Sequence, residues 1–415
     1  MSRPRVVITG ISGLTPLANT IEETWSRLIQ GESGLGPITL FDATNFASKV
    51  AGEVKDFHPD LFIPAKQVKH MDRFTQFAVV AGQMLLKDAN FTITDENSTD
   101  CAVILGIGLG GLKTIETYHA KLLSAGPNKI SPFLIPMLIS NMGSGQISIF
   151  EKIRGANYVT TSACASGIHA IGNAYSEILL GRAKAVITGG AESTITPLGV
   201  AGFTALKALS THYNDTPQQA SRPFEKNRDG FVVGEGAGLL LLEELDAAKA
   251  RGAKIYAEVV GYGASCDAFH MTAPLDTGEG MACAMQKALQ DAKLDPSAII
   301  HINAHATSTM LNDSTETKAM KLVFGDHAKN LKISATKSMT GHLLGGAGGI
   351  ETVFTALALK EETLPGTINL TEPSDDCDLD YLAHGSEHLA CEYGMCNSFG
   401  FGGTNASIIL KRFGG

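Results

Sequence analysis

The stretch YVTTSACASGIHAIGNAYSEILL, residues 158–180, decides how the rest of the chain is read. Its first residues are aromatic and β-branched and predict a strand. Small residues follow, Thr161-Ser162-Ala163-Cys164-Ala165-Ser166-Gly167, and then an apolar, alanine-rich run from Ile168 to Leu180 that reads as a helix. Strand, tight turn and helix form the repeating unit of layered α/β proteins. The turn carries a cysteine whose small neighbours let the backbone bend sharply and let a second molecule approach. A helix that begins at or just after a thiol favours its thiolate through free N–H groups and the helix dipole. Cys164 is therefore a candidate nucleophile, weighed against the commoner use of cysteine as a small buried hydrophobe.

The same alternation extends outward from this unit. RVVITGI (5–11) precedes a helical ETWSRLIQG, and CAVILGIG (101–108) precedes LKTIETYHAKLL. AKAVITGGAE (183–192) follows the cysteine helix, and GAGLLLLEEL (236–245) comes later. AKIYAEVVGYGA (253–264) opens a second series through MACAMQKALQDA, IIHINAHAT, LKISATKS, GIETVFTALALKE and NASIILKRF. Apolar strands alternating with helices predict an α/β architecture with largely buried sheets. Each series opens on a strand entering a glycine turn, and each later has a reactive-looking turn before a small-residue helix. A duplicated core is expected, with halves at 1–255 and 256–415.

The 415 residues are enough for one large two-part body, and 44% hydrophobic with 18% charged residues is an ordinary globular composition. A net charge of −9 argues against a nucleic-acid binder, which needs a basic face. No uninterrupted apolar run approaches the length of a membrane span. The opening MSRPRVVITGISG lacks the apolar centre of a signal peptide. The seven cysteines form no C-x-x-C pair, and their odd number suits free thiols in a reducing cytoplasm.

Several motifs compete for the function. Gly106-Ile107-Gly108-Leu109-Gly110-Gly111 satisfies G-x-G-x-x-G between a strand and a helix. A dinucleotide fingerprint also wants an acid after a second strand about 20 residues on. SAGPNKISPF stands there instead, so a glycine loop beside a substrate channel is the better reading. His301 and His305 are spaced as zinc ligands on a helix would be, but the central Glu of H-E-x-x-H is missing. Their segment suits a strand and turn, and no metal is expected. No G-x-S-x-G elbow is present.

His305 lies in NAHATST (303–309) and His342 in TKSMTGHL (336–343), each ending a predicted strand among small hydroxyl residues. With Cys164 they make a Cys-His-His set. A thiolate needs neighbouring donors or cations, and two imidazoles can hold one thioester oxygen as it becomes an enolate. NSFGFGGTN (397–405) reads either as a plain hairpin or as a loop that sets Phe401 against the thiol and moves when substrate enters.

Together, TSACASG, NAHATST, SATKSMTGH, NSFGFGGTN and the block ASRPFEKNRDGFVVGEGAG (220–238) resemble the β-ketoacyl-acyl carrier protein synthases, elongating condensing enzymes of the thiolase superfamily, synthase II type. The resemblance runs in the family's order from RVVITG to NASIIL. It implies an α/β thiolase fold, five layers α-β-α-β-α with two similar halves. It implies decarboxylative condensation of an acyl chain on Cys164 with malonyl-acyl carrier protein, in fatty-acid elongation. The alternative it leaves is the catalytic ketosynthase of a type II polyketide system, paired with an inactive chain-length factor. His305 and His342 would bind the malonyl thioester carbonyl, Lys337 would organise them, and Glu316 would support Lys337. The N–H groups of Cys164 and Phe401 would hold the acyl-enzyme carbonyl. Thr307 and Thr309 would face the pantetheine arm, with Leu109 at the gate to the acyl pocket. Phe203, Phe399 and Gly402 complete the implied substrate site. Lys66, Lys69, Lys129 and Lys207 match a docking patch for an acidic carrier protein. No cofactor is implied beyond the carrier's own phosphopantetheine. The partners implied are acyl carrier protein and either a second copy or a homologous chain-length factor, with no nucleic acid and no membrane. One departure stands out: the family usually has glycine where this chain has Ala306.

Overall fold

A computed structural model describes residues 3–414. Ten strands form the main sheet: β1 (Val6–Leu14), β2 (Cys101–Gly106), β3 (Asn157–Thr160), β4 (Ala185–Glu192), β5 (Gly236–Glu244), β6 (Ala257–Cys266), β7 (Ile299–Asn303), β8 (Lys332–Ser334), β9 (Tyr393–Gly400) and β10 (Thr404–Arg412). Their spatial order is β8-β7-β9-β10-β6-β1-β5-β4-β2-β3. The order is the same read outward from either side of the β6–β1 junction. In each half the two inner pairings are antiparallel and the two outer ones parallel. The halves meet through only three register pairs, Val6 with Val259, Val7 with Glu258 and Ile8 with Ala257.

So short a seam lets the two half-sheets fold over a shared helical layer. That layer is α4 (Ser166–Leu179) and α7 (Ala347–Lys360), each of which touches strands of both halves. α1 (Arg73–Asp88) and α3 (Met142–Glu151) cover the outer face of the first half, with α2 (Leu112–Ala125) between them in the chain. α5 (Glu279–Ala292) covers the second, with α6 (Met310–Phe324) packed beside it. The layers therefore run α-β-α-β-α. Every residue of α7 from Ala347 to Leu359 is buried, as a helix apolar on all sides must be. α4 and α7 approach so closely that a Cβ on Gly167 would lie 2.6 Å from the Gly349 nitrogen. Alanine there would force the central layer apart, an overpacking cost of about 1–3 kcal/mol.

The predicted strands at 101–108, 183–192 and 236–245 are present with trimmed ends. β9 is a strand the sequence reading did not identify. Its segment YGMCNSFG lacks an apolar run, yet it is sandwiched between β7 and β10, and its buried Asn397 accepts from Ser407 Oγ at 2.7 Å. NSFGFGGTN is a true hairpin, since Gly400 pairs with Thr404.

His301 belongs to β7 and not to any metal pair. It is fully buried, its Nε2 lies 2.9 Å from Ser334 Oγ, and burial pushes its pKa down from 6.5 to about 3. The folded ring stays neutral while the unfolded chain takes up a proton below about pH 6.5. Stability present above that pH is therefore lost as pH falls towards 3, at about 1.4 kcal/mol per pH unit. His301→Gln removes this titration. Between about pH 7 and about pH 5 its unfolding free energy in urea should improve relative to wild type by about 2 kcal/mol. An unchanged difference would show that the ring titrates normally.

Candidate active site

Loops leaving the C-terminal ends of the outer parallel strands converge on one place, where α/β sheets characteristically bind ligands. β3 runs into the turn bearing Cys164, β7 into His305, and β8 into Lys337 and His342. The β9–β10 turn brings Phe401 over them. One donor atom each of Cys164, His305 and His342 lies within 4.8 Å of the other two. The imidazole centroids are 5.2 Å apart and the rings nearly perpendicular at 82°. They open onto a cavity of about 560 Å³. Its apolar wall includes Leu109, Phe203, Leu206, Phe231, Met281 and Leu344.

Cys164 is half-buried, between Ala163, held at φ +51°, and the start of α4 two residues later. The positive φ of a non-glycine residue is local strain retained at the nucleophile turn. The expected lowering of the thiol pKa is not what the surroundings give. Burial pushes it up to about 12, against the opposing pull of Lys337 and of the backbone N–H groups of Phe401 and Cys164. Desolvation outweighs the helix N-terminus, so the resting group is a thiol whose anion has N–H partners waiting.

His342 Nδ1 accepts the Leu344 N–H at 3.2 Å, so its neutral ring carries its proton on Nε2, which has no partner in the protein. His305 Nδ1 is buried without a partner. Burial, reinforced by the nearby Lys337 charge, holds both imidazoles well below their usual pKa, and they are neutral at pH 7. Phe231 and Phe399 pack edge-on against His342 and His305 respectively.

Lys337 is buried, and its ammonium pairs with Glu351 of α7. Glu316, expected to support Lys337, forms no ion pair with it among the described residues and bears on it only through its charge. The Glu316 carboxylate instead accepts the N–H groups of His305 at 2.9 Å and Ala306 at 2.7 Å, and so shapes the turn that carries the histidine. Burial pushes both Glu316 and Glu351 up to about 7. Glu351 was missed, although a lone acid inside the apolar GIETVFTALAL was a visible signal. Glu192 was missed too; its carboxylate receives the amides of the glycine loop, which therefore has no free cradle for a phosphate.

Thr307 and Thr309 line the cavity with their hydroxyls 3.0 Å apart, and Thr309 caps α6. Phe203, Phe399 and Phe401 also line it, but Gly402 does not. Gly402 sits at φ +83° on the far side of the turn, where its N–H donates to Met271 O at 2.7 Å. Lys66, Lys69 and Lys129 are exposed, and Lys207 is exposed at the cavity rim. None of the four is in an ion pair among the described residues. The thiol and imidazoles are spaced as metal donors could be, but the Lys337 ammonium bears on all three groups, an environment that opposes a cation.

Ala306 explains why glycine suits its position: it is buried at φ +36°. Ala306→Gly relieves that strain and gives back a similar amount through the freer unfolded chain, so stability should stay within about 1 kcal/mol. Condensation should persist. A large loss of turnover with intact folding would mean that the methyl group is tuned to the substrate.

The profile of the beta-ketoacyl synthase N-terminal domain matches residues 3–248, and that of the C-terminal domain matches 256–371. Over 413 residues the chain is 50% identical to the 3-oxoacyl-[acyl-carrier-protein] synthase 2 of Synechocystis sp., covering 100% of this chain and 99% of that one. Among solved structures, a beta-ketoacyl synthase from Burkholderia phymatum superposes with a TM-score of 0.92 at 38% identity, over 99% of this chain and 100% of the other. The ishigamide ketosynthase/chain length factor does so with a TM-score of 0.92 at 35% identity, covering 100% of both chains.

Proposed function

Because the chain belongs to the beta-ketoacyl synthase family, we propose that it is a 3-oxoacyl-acyl carrier protein synthase that elongates fatty acids. The observation that carries this reading is the convergence of one thiol and two neutral imidazoles at the foot of an apolar cavity.

In the first half-reaction the Cys164 sulfur attacks the thioester carbonyl of an acyl carrier protein. The C–S bond to pantetheine breaks, and the thiol proton passes to the departing thiolate. The N–H groups that favour the Cys164 anion, its own and that of Phe401, would receive the carbonyl oxygen as it gains charge. In the second, the bond from the malonyl methylene to its carboxylate breaks and CO₂ leaves. The electron pair becomes an enolate whose oxygen is held by His342 Nε2–H and by His305. The enolate carbon attacks the acyl-cysteine, the C–S bond to Cys164 breaks, and the thiolate takes a proton from solvent. The products are 3-oxoacyl carrier protein and CO₂. No metal or redox cofactor enters this balance; decarboxylation supplies the driving force. Neutral imidazoles suit the task, since they donate N–H without a fixed charge that would hold the malonyl carboxylate back from leaving.

An acidic carrier protein is the natural partner for the exposed Lys66, Lys69, Lys129 and Lys207, of which Lys207 lies at the cavity rim. Thr307 and Thr309 would contact the pantetheine arm at the same mouth. Exposed apolar side chains at Leu122, Leu123, Ile135 and Ile149 favour a second copy of the chain as the other partner. The free state of all seven cysteines accords with a cytoplasmic enzyme. No helix among the described residues is long and apolar enough to cross a membrane.

The test is elongation of a long-chain acyl carrier protein by the purified chain alone. Turnover without another protein supports the proposal. Activity that appears only with a homologue lacking the nucleophile would assign the chain instead to a ketosynthase and chain-length-factor pair.

A further inference from the structure

The glycine spacing of Gly106–Gly111 suggests a cradle for an anion, and the loop does hold one: the carboxylate of Glu192. Its Oε2 accepts the N–H of Gly108 at 2.7 Å and of Leu109 at 3.1 Å, and its Oε1 accepts that of Gly110 at 3.1 Å. Oε2 also accepts the N–H of Gly345 at 3.3 Å. The side chain is fully buried at the end of β4. A Cβ on Gly108 would lie 2.6 Å from Oε2, and one on Gly345 would lie 2.7 Å from it. Gly108 is therefore demanded by this internal carboxylate, whereas a Cβ on Gly345 would meet the Gly108 backbone nitrogen first, at 2.3 Å.

The clamp joins two parts of the active site. One end is Leu109, a large apolar side chain left half exposed that forms part of the cavity wall. The other is the turn after His342, where Leu344 donates to the imidazole and Gly345 donates to Glu192. We propose that Glu192 is a positioning residue: its carboxylate fixes the Leu109 wall against the His342 turn and so sets which acyl chains the cavity accepts. This rests on the condensing activity proposed above.

The chemistry requires a carboxylate. Burial pushes Glu192 up to about 7 against the pull of four backbone N–H groups; in the ionised form both oxygens accept, and here both are occupied by donors. An amide in the same place turns one acceptor into an NH₂ group facing backbone N–H, and a buried donor without an acceptor is costly. The loop relieves that conflict by moving, and Leu109 moves with it. A second route by which Glu192 bears on the reaction must be separated from this one, because its charge also raises the Cys164 thiol pKa.

The experiment is Glu192→Gln in the full-length protein, assayed with hexanoyl- and hexadecanoyl-carrier protein. The ratio of the two kcat/KM values should shift about tenfold from wild type, the size of effect that losing a charge-assisted hydrogen bond brings. Leu109→Ala should shift the ratio as well, and adding Glu192→Gln to it should change little further, because both act through one wall. An unchanged ratio in Glu192→Gln overturns the inference, as does a shift fully additive with Leu109→Ala. If only the pH dependence of Cys164 alkylation moves, Glu192 acts by charge alone and the inference also falls. Should Glu192→Gln fail to fold, hydrogen exchange on the wild type decides. The amides of Gly108, Leu109 and Gly110 should exchange as slowly as those of the sheet, and free-loop exchange would overturn the clamp. A wild-type chain that condenses neither substrate would remove the functional reading instead, leaving hydrogen exchange to judge the clamp.

Discussion

Cys164→Ala should reduce condensation to background, a loss of at least about a thousandfold, because it removes the atom on which the acyl chain is carried. Mass spectrometry of the intact protein after mixing with acyl carrier protein should show the acyl adduct on wild type and none on the variant. Cys164→Gln makes the sharper comparison. Its side-chain carbonyl can occupy the place of an acyl-cysteine oxygen, facing the N–H groups of residues 164 and 401 that favour the Cys164 anion. The histidines and Lys337 are untouched. Malonyl carrier protein should therefore still lose CO₂ on this variant while no carbon–carbon bond forms. An acyl-enzyme on Cys164→Ala would displace the nucleophile assignment. Loss of decarboxylation in Cys164→Gln with the fold intact would tie decarboxylation to the thiol as well as to the imidazoles.

The second large effect concerns the buried pair Lys337–Glu351. Lys337→Met leaves the Glu351 carboxyl buried among apolar residues without its cation, and breaking such a pair costs about 3–5 kcal/mol. Adding Glu351→Leu removes the stranded charge, and the double variant should recover most of that loss in urea unfolding. Activity should not recover with it. Lys337 helps to hold His305 and His342 neutral, so without its charge both rings protonate at higher pH. The acid limb of any residual kcat profile should then move upward in pH. Recovery of stability and activity together would make Lys337 a structural residue only.

Much of the molecule was legible from local pattern. Apolar β-branched runs such as VVITGISGL and CAVILG become strands because both faces of each half-sheet are covered by helices. β9 was not legible because its polar residues are satisfied across the sheet: Asn397 depends on Ser407 of β10, a partner that no local window contains. The candidate nucleophile Cys164 and its histidines were legible because each sits in a distinctive turn of small residues. Gly402, within such a turn, was not separable from its neighbours, since a glycine's side of a hairpin is set by how the turn is pinned, here to Met271.

Sequence by itself determined the identities of the reacting groups, the α/β alternation and the duplicated series, since these are properties of residue type and short-range spacing. Only the tertiary structure decided which acid serves which partner. Glu316 lies closer in sequence to His305 than Glu351 does, and its carboxylate is consumed by backbone amides, while α7 carries Glu351 to Lys337 through the core. The state of the thiol was decided at the same level. A helix start argues for a thiolate, but desolvation depends on everything packed around the sulfur and is the larger effect, holding Cys164 protonated until substrate arrives.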